Sequence, residues 1–562
     1  MKNKTMKTAG LSVLAGIFSL LTAPAWAQKN TGKLEDAEIV VEKSRVNELP
    51  EASRNYEKFK VDQPEKKVTP VSYKFTDYKL AQQDLNLNMR VLTIKPEDQT
   101  PITGNYLKLG YGNYGTPYVK GYFHNNRDDQ YSYGANISHI SSTKGPVPNS
   151  GVSNSSIGLN GESYAGGLTI GGKFNYGHDK YNFYGYSPLD ESVKEDSIKQ
   201  VFNRISLQGY LNNKTSESLL QYQAGVGVSI FRDNFEARES NVAINLGATY
   251  ALSAISRFSV LADFSGISYQ DSSKTTRGFF KLKPTYEVDG ERFDYSVGVN
   301  LAYTGDKVND AKKMNIYPVL KVAYEVADDK LVLFGNLSGD LQRTSLYQLT
   351  QENPYLYSNL QIADVNKALD VNGGLTGNIS KNLSFTARVS YLSYRNLYFF
   401  NNSATDSSRF DIVYDNDNTN VLNFFGELMY NQAEKLRIGV RTEYNKYKTA
   451  SLDKSFHRPE TQVSFFGTYN IYNKLFFNGE LYYISSSYGL ITRPDLDDVT
   501  GVARVLKETD NIVDLNLKAD YRFSDKFSTF VMLNNILNKK YERFVNYPTK
   551  GLNVIGGISY SF

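Results

Sequence analysis

Two acidic clusters are the positions in this sequence best suited to hold a metal ion. Asp415, Asn416, Asp417 and Asn418 follow one another, and a second group of carboxylates lies within 495–498. Hard oxygen ligands at such close spacing are the ones that calcium prefers. The same residue types are also common at solvated loop tips. We favour the loop-tip interpretation, so the sequence predicts no metal site.

Other reactive residue types lack the spacing of a catalytic or cofactor site. The glycines of 110–115 match a dinucleotide fingerprint, but a second strand-like segment follows them where a helix would have to face a pyrophosphate. A hairpin turn is the better interpretation. No serine nucleophile with a neighbouring base is recognisable. The histidines lie in separate segments without the spacing of metal ligands: His124, His139, His178 and His457. The sequence therefore predicts neither an enzyme nor a cofactor.

The last residues of the chain alternate between two kinds of surface. Counting back from the end, Phe562, Tyr560 and Ile558 are apolar or aromatic, whereas Ser561 and Ser559 between them are small and polar. The closing strand of an outer-membrane β-barrel needs this pattern, because one face contacts lipid and the other faces the lumen. We therefore expect an amphipathic terminal strand.

The same alternation recurs along most of the chain. Ten short connections interrupt it, at 126–129, 164–167, 212–218, 253–257, 289–290, 328–329, 380–382, 431–435, 473–474 and 524–526. Longer polar segments lie between them, at 144–155, 187–199, 269–277, 305–313, 347–368, 399–420, 450–458, 491–507 and 541–552. Short turns at one end and long loops at the other are typical of outer-membrane barrels. The turns predict an all-β fold, a transmembrane antiparallel barrel of about 22 strands.

Composition agrees with a barrel and argues against other classes. Mean hydropathy is −0.44, but strands in which only alternate residues face lipid escape hydropathy windows. The 43 tyrosines and 31 phenylalanines can supply interfacial aromatic residues. A net charge of +4 over 562 residues argues against a nucleic-acid partner. With no cysteine in the chain, no disulfide framework can hold it.

The amino terminus has the three regions of a secretory signal peptide. Lysines precede an apolar run at 11–21, and the small residues Ala25 and Ala27 form a cleavage site before Gln28. The run has about half of the roughly 20 residues that span a bilayer as a helix. We predict that residues 1–27 are removed and that the mature chain is an integral protein of the outer membrane.

A charged segment separates this signal from the barrel. Residues 28–102 contain several prolines and little apolar periodicity. Such composition favours a periplasmic or lumenal extension over a packed domain. The alternating pattern begins after it, so we assign the barrel to 103–562.

The carboxy-terminal part resembles TonB-dependent receptors. Residues 530–542 read FVMLNNILNKKYE, and they are followed by Tyr547, Pro548 and the ending GGISYSF at 556–562. This combination is similar to the last two barrel strands of that family, where an Asn-Leu-Phe-Asn-Lys-Xaa-Tyr segment approaches the final outer loop. The resemblance implies insertion by the barrel-assembly machinery, which in the family reads the terminal aromatic strand, here Ile558, Tyr560 and Phe562.

A second segment resembles the short extended stretch through which this family engages TonB. It reads DAEIVVE at 36–42, and the residues concerned are Asp36, Glu38, Ile39, Val40 and Val41. The resemblance implies TonB as a partner, with another outer-membrane or periplasmic protein as the alternative.

The extension is shorter than the globular plug of that family. Only 28–102 precede the barrel, and they lack a plug-like Arg-Gly element with a following Val-Asp-Gly turn. We interpret them as a reduced plug. An empty barrel of this size would be wider than a porin. The extension, the long loops at 347–368 and 399–420, or a partner protein must therefore close it.

These patterns favour an outer-membrane receptor-like barrel that binds or transports a nutrient. The alternative is a non-transporting accessory or structural subunit of an outer-membrane complex. Outer-membrane lipid is a partner in both cases.

Overall fold

The computed structural model describes residues 104–125, 128, 130–186, 193–213, 218–328, 330–493 and 503–562. Within them, 22 strands form one antiparallel sheet whose first and last strands pair, so that the sheet closes into a barrel. The predicted all-β barrel of about 22 strands is therefore confirmed. The predicted signal peptide, the extension and the TonB-like segment lie outside the described residues.

The barrel strands are consecutive neighbours around the sheet, apart from two extra hairpins in the loops. The strands are β1 (Tyr106–Gly112), β2 (Thr116–His124), β3 (Tyr131–Ser142), β4 (Val152–Ala165), β5 (Leu168–Asn182), β6 (Lys199–Asn213), β7 (Leu220–Asp233), β8 (Arg238–Ala251), β9 (Ser256–Gln270), β10 (Lys274–Asp289), β11 (Phe293–Thr304), β12 (Met314–Ala327), β13 (Leu331–Gln342), β14 (Val365–Ser380), β15 (Leu383–Arg395), β16 (Tyr398–Asn402), β17 (Phe410–Tyr414), β18 (Thr419–Gln432), β19 (Leu436–Lys448), β20 (Thr461–Ile471), β21 (Leu475–Ile484), β22 (Tyr488–Arg493), β23 (Ala503–Glu508), β24 (Ile512–Arg522), β25 (Phe527–Asn534) and β26 (Asn553–Ser561). Strands β16 and β17 pair with each other, as do β22 and β23, and neither pair joins the barrel.

The chain reverses at all ten predicted short turns, which define one end of the barrel, the turn end. One prediction for the opposite, loop end is wrong, and one reversal there was not predicted. The expected long segment at 269–277 is the tight turn 271–273, because β9 and β10 continue their ladder to the pair Gln270 and Lys274. The sequence interpretation also missed the short reversal at 234–237, where the Asp233 carboxylate accepts hydrogen bonds from the backbone of Phe235 and Ala237.

The strands have an apolar outer face and a more polar inner face, as their alternation predicts. On β7, Val226 and Val228 point outward and are 51% and 44% exposed, whereas Ser229 faces inward. Ile558 and Tyr560 on β26 and the terminal Phe562 that follows it share the outer face, with exposures of 58%, 37% and 50%, while Ile555 is fully buried. The expected amphipathic terminal strand is confirmed.

The seam between β1 and β26 requires a glycine. A Cβ atom on Gly557 would lie 2.1 Å from the carbonyl oxygen of Leu109 on β1. Real Cβ atoms do not approach backbone this closely, so only glycine lets the two strands pair at this point.

One α-helix, α1 (Leu346–Glu352), lies in the connection between β13 and β14. Its sequence begins with a capping box. Ser345 Oγ accepts from the Gln348 backbone N–H at 3.2 Å, and Gln348 Oε1 accepts from the Ser345 N–H at 3.0 Å. Among the described residues, no helix is long and apolar enough to cross a membrane.

Candidate functional site

Six connections at the loop end pack into one body, which we call the loop cap. They are the links β5–β6, β13–β14, β15–β18, β19–β20, β21–β24 and β25–β26. Fifteen buried apolar residues form its core: Phe202, Phe231, Ala237, Tyr269, Leu346, Leu349, Leu356, Leu360, Ile362, Phe400, Phe410, Ile491, Phe544, Val545 and Tyr547. The long loops considered as closures from the sequence, at 347–368 and 399–420, thus meet each other and the strand ends.

Helix α1 is fixed to the barrel wall. Leu346 and Leu349 are buried against the cap core, and the Leu346 N–H donates to Glu239 Oε2 on β8 at 2.6 Å. The inward-facing Phe202 and Phe231 of β6 and β7 belong to the same core. The helix therefore lies against the inner surface of the barrel at its loop end.

Tyrosines from three connections stack at the centre of the cap. The rings of Tyr355 and Tyr547 are 3.7 Å apart between centroids and nearly parallel, and Tyr184 meets Tyr547 edge-on at 4.8 Å. The Tyr547 hydroxyl donates to the Ser408 carbonyl. Burial raises the pKa of Tyr184 to about 12 and that of Tyr355 and Tyr547 well above the usual value. These rings are therefore neutral and join distant loops by packing.

A buried ion pair anchors the cap to the wall. Arg277 on β10 and Asp364 at the end of the β13–β14 link are 5% and 2% exposed, with Nη1 and Oδ1 2.7 Å apart. The second Asp364 oxygen accepts from Thr304 Oγ1 at 2.7 Å, and Arg277 Nη2 donates to the Thr344 carbonyl at 2.6 Å. Because each charged group has several ion-pair and hydrogen-bond partners, these contacts offset the desolvation cost of burying the pair.

Within the acidic cluster at 415–418, Asn416 and Asp417 are exposed, as expected of a loop tip, but Asp415 is buried. Asp415 is 3% exposed, and its carboxylate accepts from the Ala450 N–H at 2.6 Å, from Ser451 Oγ at 2.7 Å and from Thr419 Oγ1 at 3.0 Å. These bonds offset burial and lower the pKa of Asp415. They tie two connections of the cap together. In the described part of the chain, no group of three or more histidine and acidic side chains is arranged to hold a metal ion. The second acidic cluster lies outside the described residues.

His457 packs within the cap in one tautomer. Its Nδ1 lies 2.7 Å from the Phe400 carbonyl, so Nδ1 must carry the hydrogen, and Nε2 accepts from the Val545 N–H at 3.2 Å. The ring contacts Phe410 and Phe544. Burial lowers the pKa of His457 to about 4, which keeps the ring neutral at physiological pH.

A pocket of about 560 Å³ lies next to the cap on the inner surface of β6 to β10. Arg204 and Asn241 of its wall contact the connection that contains α1, to which the lining residue Arg343 belongs. The guanidinium carbon of Arg204 lies 4.0 Å from the centre of the Tyr347 ring, and Arg343 Nη1 donates to Asn241 Oδ1 at 3.1 Å. The pocket therefore faces the barrel interior, and the loop cap borders it on the side of the loop end.

Cationic side chains dominate the charge of the pocket. Arg204, Lys281 and Arg343 line it together with a single acid, Asp263. Lys281 pairs with Asp340 at 2.6 Å, but within the described residues neither arginine forms an ion pair. The buried hydroxyl of Ser265 on the same wall has no hydrogen-bond partner among them. The arrangement suits a polar solute that accepts hydrogen bonds and carries negative charge.

The sequence alone did not identify these pocket residues. Alternation places Arg204 and Lys281 on inner faces, next to outward-facing Ile205 and Phe280, and that signal was available. It does not reveal that Arg343, in a loop, joins them. The residues predicted for assembly, Ile558, Tyr560 and Phe562, lie on the opposite, outer surface of the barrel.

The closed barrel and its loops define a class of fold, that of the 22-stranded outer-membrane receptors and transporters. No family model and no curated protein matches the sequence. Solved structures do match. The siderophore receptor PirA from Acinetobacter baumannii aligns with a TM-score of 0.63 and 11% identity, over 82% of this chain and 80% of that chain.

Two transporters give similar values. The FrpB iron transporter from Neisseria meningitidis (F3-3 variant) has a TM-score of 0.61 and 10% identity, over 82% of this chain and 81% of that chain. The copper transporter OprC has a TM-score of 0.59 and 11% identity, over 82% and 80%. The predicted resemblance to TonB-dependent receptors is confirmed at the level of the fold.

Proposed function

We propose that this protein is an outer-membrane receptor or transporter barrel that binds a nutrient at the cell surface and takes it up. The pocket beneath the loop cap carries the proposal, because it combines a cavity of about 560 Å³ with polar and cationic side chains. The neighbours in fold, an iron transporter, a copper transporter and a siderophore receptor, support the same role. In an outer-membrane barrel the long loops face the exterior, so the pocket would meet solutes that pass the cap.

Uptake through this pocket requires movement of the cap. Its core contains residues of the β13–β14, β15–β18, β21–β24 and β25–β26 connections, so opening one of these connections exposes apolar side chains of the others. The extension at 28–102 is the proposed second closure, and engagement of TonB through Asp36, Glu38, Ile39, Val40 and Val41 would supply the energy for its movement.

Filling the pocket tests the proposal. A Cβ added to Gly227 on the pocket wall would have its nearest neighbours at 3.5 Å and 3.8 Å, so Gly227→Trp can place its ring in the cavity. Ser156→Trp is the matched control, since Ser156 is an exposed inner residue of β4 outside the pocket. Each variant also gains a fluorescent reporter, because the only native tryptophan is Trp26.

Growth of a deletion strain, complemented with each variant, is measured under limitation for iron, with a ferric siderophore as an alternative iron source, and under limitation for copper. We expect the wild type and Ser156→Trp to restore growth on one of these nutrients and Gly227→Trp to fail. Equal complementation by both variants on every nutrient that the wild type supports would show that the pocket is not the substrate site.

A second candidate function is that of a non-transporting accessory subunit with a closed lumen. The buried core of the loop cap favours it, since a sealed barrel needs such a core and a passive channel does not. Conductance in planar bilayers separates the two functions. A current that a substrate blocks supports transport, whereas a silent barrel that co-purifies with a stoichiometric partner supports the accessory role.

A further inference from the structure

A row of basic residues crosses the outer surface of the barrel near its loop end. Arg232 on β7 pairs in register with Arg238 on β8, Arg238 pairs with Gln270 on β9, and Gln270 pairs with Lys274 on β10. All three basic side chains are exposed. They share the parity of lipid-facing residues such as Val228, so they point away from the lumen.

The row lies at the upper boundary of the apolar belt. Below it on the same face lie Val242, Ile244 and Leu246, which are 47%, 41% and 43% exposed, and Tyr250 lies near the turn end of the strand. Arg238 precedes Tyr250 by twelve positions, which is about 40 Å along a strand and roughly 30 Å along the membrane normal at a tilt of about 40°. That separation matches the thickness of a membrane core, so the row lies at headgroup level.

The basic side chains of the row lack acidic partners in the described part of the chain. None of Arg232, Arg238 and Lys274 has an ion pair or a side-chain hydrogen bond there, and the nearby Glu236, in the turn between the arginines, pairs with neither. Like charges directly opposite each other on neighbouring strands repel. An anion between Arg232 and Arg238 would remove this repulsion.

We propose that this row, Arg232, Arg238 and Lys274, binds the phosphate groups of an outer-leaflet lipid. Because the row lies at headgroup level, its ligand should be a lipid headgroup, and because the row is positively charged, that headgroup should be anionic. Paired guanidinium groups are suited to phosphate oxygens. Basic residues at a membrane surface attract anionic lipid in this way. The inference rests on the proposed outer-membrane location but not on transport, and it adds a structural lipid contact on the face opposite the pocket.

Binding of bisphosphorylated lipid A to the purified full chain in detergent tests the proposal. The variant Arg232→Gln/Arg238→Gln/Lys274→Gln removes the row. Arg395→Gln is the matched control, because Arg395 is also exposed at the loop end but already faces Asp417 at 3.8 Å and Asn418 at 2.9 Å. Each basic residue at a membrane surface contributes roughly fivefold in affinity. We therefore expect the triple variant to bind on the order of a hundredfold more weakly and Arg395→Gln to bind like the wild type.

Two further probes identify the source of the phosphate. We expect dephosphorylated lipid A to bind the wild type as weakly as intact lipid A binds the triple variant, and millimolar inorganic phosphate not to displace the lipid. Equal binding by the triple variant, equal binding of the dephosphorylated lipid, or displacement by inorganic phosphate would each overturn the proposal. Heat-modifiable migration of every variant on gels shows separately that the barrel has formed, so a failure of barrel assembly is distinguishable from a failure of lipid binding.

Discussion

At the scale of single residues, His457 makes the loop cap sensitive to acid. Both ring nitrogens are engaged, and Nε2 can accept from the Val545 N–H only while the ring is neutral. The folded-state pKa of about 4 lies below the ordinary value of 6.5. The stability that the neutral ring contributes is therefore complete above pH 6.5 and is lost as the pH falls through 4.

We expect the cap to open more readily as the pH falls from 7 to 4. The rate of proteolysis within the cap, measured at each pH, reports this opening. His457→Gln cannot titrate, so its rate should be higher than that of the wild type at pH 7 but should change little with pH. His139→Gln, at a histidine on β3 that bonds only Ser155 in the described chain, serves as the control. A wild-type rate that stays constant down to pH 4 would contradict the role of His457.

The buried pair of Arg277 and Asp364 gives a second prediction at this scale. Asp364→Asn leaves Arg277 as an unpaired buried charge, which costs about 3–5 kcal/mol. We expect this cost to appear as faster hydrogen exchange in 343–364. The exposed pair of Arg292 and Asp328, 61% and 77% exposed, is the control, since Asp328→Asn should cost less than about 1 kcal/mol. Similar exchange in both variants would show that the buried pair does not anchor the cap.

At the scale of elements, β26 both closes the barrel and presents Ile558, Tyr560 and Phe562 to lipid. Removing one exposed aromatic side chain costs only about 1–2 kcal/mol of apolar burial. We nevertheless expect Phe562→Ser to reduce the amount of inserted protein strongly, because the resemblance to TonB-dependent receptors implies that the assembly machinery reads this strand.

The matched control is Phe465→Ser on β20, at an outward phenylalanine that is 54% exposed and far from the chain end. Quantified outer-membrane protein at native expression should fall for Phe562→Ser and remain close to the wild-type level for Phe465→Ser. An equal level for both variants would mean that the terminal residue acts only through burial.

At the scale of the whole molecule, the extension at 28–102 decides how the barrel is closed. Its segment 74–93 contains eight large apolar residues, more than a free tether needs. We predict that it enters the lumen as a reduced plug. A cysteine at Leu87 should then react slowly with a membrane-impermeant thiol reagent applied from the periplasmic side, and a cysteine at Val41 should react fast. The chain has no native cysteine to interfere.

Deletion of 28–102 is the companion experiment. If the segment lies in the lumen, its removal should raise the steady conductance in planar bilayers, unless the loop cap alone seals the barrel. Fast reaction at both cysteines would contradict the reduced plug and leave closure to the cap or a partner.

The sequence by itself was sufficient to predict the barrel. Alternation along each strand and short turns between strands are local signals, because a side chain's face depends only on its position in the strand. They predicted about 22 strands and the lipid-facing side chains of β26. These signals failed at two places. Around 271–273 polar residues continue the ladder of β9 and β10, and at 234–237 polar residues form a very short reversal.

Only the tertiary structure decided the loop cap and the pocket. Tyr184, Tyr355 and Tyr547 stack although more than 350 residues separate the first from the last, and no periodicity links their segments. Asp415, which looks like a calcium ligand or a loop tip in sequence, is buried because Ala450 and Ser451 of another connection donate to it. Contacts between loops depend on the closed barrel, because it brings the ends of the loops together in space. Local residue patterns do not encode that geometry.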